Sequence, residues 1–148
     1  MFRKTSLSKS LFAFPLFLLL FASEVVAEEI DYSVTATINI SKALKHQVRP
    51  EQTIFVFAKA VNGPRAPLAA YKGKVKDLPL TVTLDDKMAM SPRFALSAFK
   101  GQKVRVSVRV SQSGMAGKGK GDFEGTSEAF ILEKQNKPLM ISIDSIVQ

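Results

Sequence analysis

The sequence predicts an all-β domain built as a sandwich of short strands, and three observations support this class. Apolar and polar residues alternate over several short segments, which is the period of a strand with one buried face. Glycine, proline, asparagine and aspartate separate these segments at short intervals. After residue 30, no segment keeps a helical apolar period over three turns. Short strands divided by frequent turns are typical of antiparallel β-proteins.

The first half of this pattern predicts two strands. Residues 30–40 alternate strictly between apolar and polar side chains, which predicts a strand buried on one face. Residues 41–51 interrupt the alternation and leave room for a short helical turn. Residues 53–60 are apolar on both faces until Lys59, which is typical of a central strand. The Asn-Gly-Pro sequence at 62–64 then predicts a turn.

The middle of the chain predicts three weaker strands. Residues 67–75 indicate an edge strand, because Pro67 lacks an amide donor and lysines interrupt the segment. Residues 78–84 alternate again and end at the Asp-Asp-Lys turn of residues 85–87. Residues 93–99 predict a further short strand.

The second half contains the clearest strand of the chain. Residues 103–110 place four valines on one face and lysine, arginine and serine on the other. Residues 114–121 contain four glycines and predict a hairpin loop, and two more strands are predicted near 126–132 and 138–145. Seven or eight short antiparallel strands at this spacing favour an immunoglobulin-like sandwich, with a small barrel as the alternative.

Residues 1–27 have the three-part pattern of a secretory signal peptide. A basic start without acids precedes an apolar core at residues 11–22, and small residues lead to Ala27. The apolar core is about a dozen residues long, whereas a membrane-spanning helix needs roughly 20. We therefore expect cleavage after Ala27, which leaves one β-sandwich domain over residues 28–148 with no stable membrane anchor.

Composition excludes several classes of function. The chain contains no cysteine and one histidine, His46. Thiol chemistry, thioether attachment of haem, cysteine metal sites and multi-histidine metal sites are therefore excluded. The net charge of +8 is compatible with an acidic partner, but export argues against nucleic acid, and the basic residues are spread along the chain.

The sequence gives no support for an enzyme. Asp85 and Asp86 are adjacent, so strand geometry would direct them to opposite faces rather than into an acid–base pair. A nucleophilic serine would need a base, and His46 has no evident acidic partner. The Gly-Lys alternation within residues 114–121 lacks the following helix and hydroxyl residue of a phosphate loop. We therefore predict no catalytic residue and no cofactor.

Three methionines form the one candidate metal site. Met88 and Met90 flank an alanine in one predicted loop, and Met115 lies in another. Thioethers are soft ligands that suit Cu(I), and His46 could join them, although a blue-copper site would need two histidines and a cysteine. The alternative is that these methionines fill gaps or form an adaptable hydrophobic contact with a partner.

Five segments, taken in order, resemble the C-terminal periplasmic Ig-like domain of the cytochrome c-type biogenesis factor CcmI, also called CycH. They are TIFVFAKA at 53–60, LPLTVTLDD at 78–86, MAMSP at 88–92, VRVSQSG at 108–114 and GDFEG at 121–125, with Gly63-Pro64 and Ala66-Pro67-Leu68-Ala69 between the first two. Together these segments extend over most of residues 28–148, and it is their order that makes the resemblance specific.

The resemblance implies a stand-alone relative of a larger assembly factor. Members of that family deliver unfolded apocytochrome c to the haem ligation machinery, and they carry two membrane helices and a helical repeat region that binds the apocytochrome. We expect neither of these regions in this chain, so the resemblance does not imply that it binds unfolded apocytochrome c as those regions do. The resemblance implies a sandwich in the periplasm of a Gram-negative bacterium that contacts protein partners.

We therefore predict a non-enzymatic, chaperone-like periplasmic module that binds a protein partner, and the resemblance implies that this partner is a component of cytochrome c maturation. The alternative is a methionine-based periplasmic copper-binding protein. The expected contact surface is the segment from residue 85 to 92, because it combines two carboxylates, two adaptable methionines and a proline. Its predicted contact residues are Asp85, Asp86, Met88, Met90 and Pro92.

Overall fold

A computed structural model describes residues 32–134 and 136–148 of the chain. The predicted signal peptide and the first residues of the first predicted strand lie outside this range. The described residues form nine strands and four short 3-10 helices. The strands are β1 (Ser33–Ile40), β2 (Thr53–Ala60), β3 (Ala69–Lys74), β4 (Leu80–Asp85), β5 (Lys103–Ser111), β6 (Phe123–Thr126), β7 (Phe130–Ile131), β8 (Leu139–Ile143) and β9 (Ser145–Ile146).

These strands form two sheets, which confirms the immunoglobulin-like sandwich over the small barrel. The three-stranded sheet has the order β4-β1-β8. The six-stranded sheet has the order β3-β2-β5-β6-β9, and the two residues of β7 pair with the start of β5. The predicted central position of β2 and the edge position of β3 are both confirmed.

Two details of the predicted strand set are wrong. The described residues contain nine strands rather than seven or eight, because the strand predicted near 126–132 is two strands, β6 and β7, and the one predicted near 138–145 ends in a second strand, β9. The pairing of β1 with β8 is parallel, whereas all strands were predicted to be antiparallel. β8 follows β7, which belongs to the other sheet, so no hairpin turn joins β8 to β1 and imposes the antiparallel direction.

The core lies between the sheets and follows the alternation of the sequence. Alternate residues of β1, β2 and β5 are buried against one another, as the period-two patterns predict. The fully buried residues of these strands are Val34, Ala36, Ile38, Ile54, Val56, Ala58, Val104, Val106, Val108 and Val110. Leu96 and Leu132 belong to the same core. The domain therefore holds together by apolar burial with no disulfide among its residues.

The strand predicted at residues 93–99 is wrong. Two 3-10 helices, Pro92–Phe94 and Leu96–Phe99, occupy this segment. Pro92 stands at the first helical position, where its missing amide proton is not needed, and the Ser91 hydroxyl accepts a hydrogen bond from the amide of Arg93. Leu96 is buried in the core. A single buried leucine in this segment therefore resembles the alternating pattern of a strand without being part of one.

The connection after β1 and the close approach of β6 to β8 both follow from the local sequence. Turns fill residues 42–47, which agrees with the short helical turn expected between the first two strands. Where β6 passes β8, a Cβ atom on Gly125 would collide with the Ser142 carbonyl oxygen, so only glycine allows this approach. Within the described residues, no helix is long and apolar enough to cross a membrane.

Candidate functional site

A pair of phenylalanines forms a platform on the outer face of the six-stranded sheet. β2 directs Ile54 and Val56 into the core, so the neighbouring Phe55 and Phe57 face outward. Their rings stack with centroids 5.9 Å apart and planes 7° apart. Both are nevertheless at most 8% exposed, which shows that other groups cover them.

Three cations provide part of this cover. The ammonium of Lys59 lies 5.3 Å from the Phe57 ring centroid, and the guanidinium of Arg109 lies 5.5 Å from the same centroid. The Lys72 ammonium lies 6.0 Å from the Phe55 centroid, because Lys72 is directly opposite Phe55 in the β2–β3 pairing. Cations at these distances are attracted by the electron-rich ring faces.

Residues 116–118 of the loop between β5 and β6 line the recess beside the platform, and hydrogen bonds fix this loop. The Arg109 guanidinium donates to the Ala116 carbonyl oxygen at 2.8 Å, and the Ser111 hydroxyl donates to the Met115 carbonyl oxygen at 2.8 Å. The buried carboxylate of Asp122 accepts the amides of Gln112 and Gly119, each at 2.8 Å. The predicted hairpin loop is confirmed, and it is bound to its own strands at both ends.

The platform, β3 and this loop enclose a groove of about 530 Å³. Five cationic side chains line it: Lys59, Arg65, Lys72, Arg109 and Lys118. No acidic side chain of the described residues lines it. Glu124, opposite Arg109 in the β5–β6 pairing, has its carboxylate bound by Lys118 at 3.2 Å. The groove is therefore aromatic at its floor and strongly positive around it. We call it the cationic groove.

Burial and the clustered positive charge both act on the pKa of Lys59. Burial lowers the pKa of this ammonium, and the charges of Arg109 and Lys118 lower it further. The groove therefore holds more positive charge than its own residues neutralise.

Arg109 is the least solvated of these cations. Its side chain is 7% exposed, and within the described part of the chain its only hydrogen bond goes to the Ala116 carbonyl oxygen. The buried Nε–H has no partner there. Buried charges in proteins are normally paired with an opposite charge, and a buried donor normally has an acceptor. Arg109 is thus a buried cation without a counter-ion among the described residues.

The segment predicted to contact a partner has mixed roles in the structure. The Asp85 carboxylate accepts the amide of Lys87 at 2.9 Å, and the Asp86 carboxylate accepts the amide of Ser97 at 3.0 Å. Met88 packs against the core. Met90 is 83% exposed and lines the cationic groove, and Pro92 is exposed. The carboxylates thus have local structural bonds, whereas Met90 and Pro92 remain available for contact.

The candidate copper ligands are not all in one environment. Met115 is 70% exposed in the β5–β6 loop, two residues before Gly117, which lines the same groove as Met90. Met88 packs against the core instead, and His46 is exposed in the turns after β1. Within residues 32–134 and 136–148, no group of three histidine, cysteine, aspartate or glutamate residues could hold a metal ion.

The platform and its cations are the features that sequence reasoning missed. The apolar run of residues 53–60 predicts a strand buried on both faces, which hides the fact that Lys59 shares a face with Phe55 and Phe57. The available signal was that Phe55, Phe57 and Lys59 occupy alternate positions and therefore share one face of β2. Arg105 and Arg109 share one face of β5 in the same way.

Comparison with known proteins gives one family. The family described as "Cytochrome c-type biogenesis protein H Ig-like domain" matches residues 34–144. The cytochrome c-type biogenesis protein CycH of Pseudomonas aeruginosa is 44% identical over 84 residues, which cover 57% of this chain and 20% of that protein. The chain thus matches about a fifth of the length of this curated relative.

Among solved structures, the chain is similar to an alternative pilotin from the type II secretion system of Vibrio cholerae. The two share 17% sequence identity with a TM-score of 0.49, and the match covers 80% of this chain and 98% of the pilotin.

Proposed function

We propose that this chain, which belongs to the cytochrome c-type biogenesis protein H Ig-like domain family, is a non-enzymatic periplasmic module that binds a protein partner during cytochrome c maturation. The relationship to cytochrome c maturation is supported by the 44% identical CycH of Pseudomonas aeruginosa. The signal-peptide pattern of residues 1–27 supports export to the periplasm.

The single observation that carries a binding role is the cationic groove. It combines stacked aromatic rings, five cationic side chains and the exposed Met90 in one recess of the sheet. Aromatic residues, methionine and arginine are the side chains most enriched at the centre of protein interfaces. A stable fold does not require such a combination on a surface strand, so we infer that a partner uses it.

A non-catalytic role agrees with the state of the candidate reactive groups. Both adjacent carboxylates, Asp85 and Asp86, accept backbone hydrogen bonds that hold a turn and a 3-10 helix. His46 lies in the exposed turn segment after β1, away from the residues that line the groove. These groups are therefore used for structure or lie apart from one another.

The predicted contact segment adjoins the groove through Met90. Its flexible thioether side chain lies at the border between the 3-10 helices of residues 86–94 and the phenylalanine platform. A partner seated on the platform would therefore also contact Met90. We place the contact surface across the groove and the exposed end of this segment.

Gene deletion followed by haem staining of periplasmic c-type cytochromes tests the assignment to maturation. We expect reduced covalent haem in at least one c-type cytochrome, with recovery when the wild-type gene is returned. Unchanged staining of every c-type cytochrome under all growth conditions that require them would contradict the assignment.

Partner capture from periplasm tests the contact surface. The protein with Met88→Ser and Met90→Ser is expected to lose a maturation component that the wild type retains. Met140→Ser is the matched control, because Met140 is 72% exposed on the other sheet. Retention of every identified partner by the double variant would exclude this segment as the contact.

A methionine copper site is a second candidate, supported by the exposure of Met90 and Met115 beside the same groove. Titration of purified protein with Cu(I) under reducing conditions tests it. Affinity weaker than about micromolar, or affinity unchanged by Met90→Ser together with Met115→Ser, would exclude it.

A further inference from the structure

We propose that the cationic groove is a carboxylate-binding site centred on Arg109, and that its occupant is an acidic peptide segment with an apolar side chain next to the carboxylate. This inference rests on the proposed protein-binding function and specifies the chemistry of the partner.

Arg109 provides the first part of the case. Its guanidinium is buried, lies 5.5 Å from the Phe57 ring centroid and donates one hydrogen bond, to the Ala116 carbonyl oxygen. A guanidinium has five N–H donors, and the buried Nε–H has no partner within the described residues. Carboxylates bind this planar donor set through two parallel hydrogen bonds. Arginine fixed by an aromatic ring and a loop carbonyl is therefore prepared for a carboxylate.

Charge complementarity selects an acidic occupant. The five cations of the groove face one nearby carboxylate, that of Glu124, which Lys118 binds at 3.2 Å. Burial first, and then the charges of Arg109 and Lys118, lower the pKa of Lys59, so part of this effect is repulsion among cations of the groove. An incoming negative charge would relieve this repulsion, whereas a cationic segment would increase it.

The shape and the floor of the groove select a peptide. The volume of about 530 Å³ accommodates a few side chains, and its lining includes Phe55, Phe57, Pro67 and Met90. An apolar side chain would pack against the exposed Met90 and the partly buried Pro67 while the adjacent carboxylate reaches Arg109. The two phenylalanines are almost fully covered, and Arg109 is recessed beneath the loop. A flat anionic surface such as a membrane would reach the lysines at the rim but not this floor.

Calorimetric titration of the purified protein with matched peptides tests the proposal. The probe is acetyl-Ala-Asp-Phe-Glu-Ala-amide, and its isostere replaces Asp by Asn and Glu by Gln. We expect the acidic peptide to bind at least about 10-fold more tightly than the isostere, because each charge-assisted hydrogen bond is stronger than its neutral equivalent. A third peptide, acetyl-Ala-Phe-Ala with a free carboxyl terminus, shows whether a chain end or an acidic side chain is the preferred carboxylate.

Variants locate the binding site. Arg109→Gln is expected to weaken binding of the acidic peptide about 10-fold or more, and Arg109→Lys to restore part of it. Because Arg109 also holds the loop, Lys72→Gln serves as an independent variant at the rim, with an expected loss of about 3-fold. Lys42→Gln, an exposed lysine in the turn after β1, is the matched control and should bind as the wild type does.

Three results would overturn the proposal. These are equal affinity for the acidic and neutral peptides, wild-type affinity in both Arg109→Gln and Lys72→Gln, and binding to phosphatidylglycerol vesicles without binding to any peptide. None of them bears on the haem-staining experiment, which tests the role in cytochrome c maturation independently. Reduced haem staining with no peptide affinity would therefore reject the carboxylate site alone.

Discussion

The two outer faces of the sandwich carry different chemistry, although alternating strands build both. On the three-stranded sheet, β1 and β4 present threonines that pair across the strands, with hydroxyl oxygens 2.9 Å apart for Thr35 and Thr83 and 3.0 Å apart for Thr37 and Thr81. On the six-stranded sheet, β2 presents Phe55 and Phe57 beneath cations and a loop. We call these the hydroxyl face and the aromatic face.

The comparison of the two faces separates surface features that the fold requires from surface features that it does not require. A solvent-facing strand surface needs β-branched residues with satisfied polar groups, and the hydroxyl face meets this need with neutral side chains. The aromatic face places large apolar rings outside the core and then covers them with positive charge. It buries a guanidinium without a counter-ion among the described residues, which costs stability that the hydroxyl face does not lose.

The largest expected contrast between the faces is in side-chain truncation. Phe57→Ala should lower the free energy of unfolding by about 3 kcal/mol, because Phe57 is 5% exposed and supports Lys59 and Arg109. Thr37→Ala on the hydroxyl face should lower it by about 0.5 kcal/mol. Urea unfolding curves of both variants measure the difference. Equal losses would show that the rings are not effectively buried.

Removal of the support for the covering loop should have the next largest effect. Asp122→Ala leaves the amides of Gln112 and Gly119 without their acceptor, and should lower the free energy of unfolding by about 2 kcal/mol. Asp122→Asn keeps one acceptor oxygen and should lose about half as much. Hydrogen exchange of these two amides provides a local readout. Unchanged exchange in Asp122→Ala would show that the carboxylate does not hold the loop.

Most of the fold could be predicted because its signal is local. The alternation of residues 30–40 and 103–110 and the glycines of 114–121 predicted β1, β5 and the loop between β5 and β6. The parallel pairing of β1 with β8 depends on contacts between residues about 100 positions apart, which no local pattern encodes. The 3-10 helix at Pro92–Phe94 begins with a serine cap and a proline, whereas the one at Leu96–Phe99 has no side-chain cap from its own N-cap residue, and both are too short to show a period.

The site was harder to predict because it depends on strand register. Lys72 lies on Phe55, and Arg109 reaches Phe57, only because β3 and β5 flank β2 in one particular alignment. The alternation in the sequence does show that Phe55, Phe57 and Lys59 lie on one face of β2, but it does not show which strands pair with β2. Met88 and Met90 are conspicuous in the sequence because one alanine separates them, and of the two Met90 lines the groove.

A smaller effect on stability is expected on the hydroxyl face. A double-mutant cycle with Thr35→Val and Thr83→Val removes the hydroxyl pair but keeps both branched shapes. We expect a coupling energy of about 0.5 kcal/mol between the two threonines, measured by urea unfolding. The same cycle on Thr35 and Thr81, which are not directly opposite, should give coupling near zero. Equal coupling in the two cycles would mean that the hydroxyl contact contributes nothing specific.

The smallest expected effect has the opposite sign and belongs to the aromatic face. The lowered pKa of Lys59 means that the folded protein disfavours its charged form, because of burial first and then the charges of Arg109 and Lys118. Between that lowered pKa and the ordinary value of 10.5, the unfolded chain binds more protons than the folded one. Stability therefore rises with pH in this window, and the cost of the charge is fully present at pH 7.

Lys59→Met removes this charge while keeping a flexible apolar side chain over Phe57. It should raise the free energy of unfolding at pH 7 by about 0.3 kcal/mol, a small gain because solvent and salt screen the repulsion. The gain should shrink as the pH rises through the window in which Lys59 of the wild type loses its proton. Lys42→Met, outside the groove, controls for the loss of any surface charge. If Lys59→Met instead lowered stability at pH 7, attraction between the ammonium and the Phe57 ring would outweigh burial and the repulsion among the cations. The aromatic face would then not need an acidic partner to stabilise its positive charge.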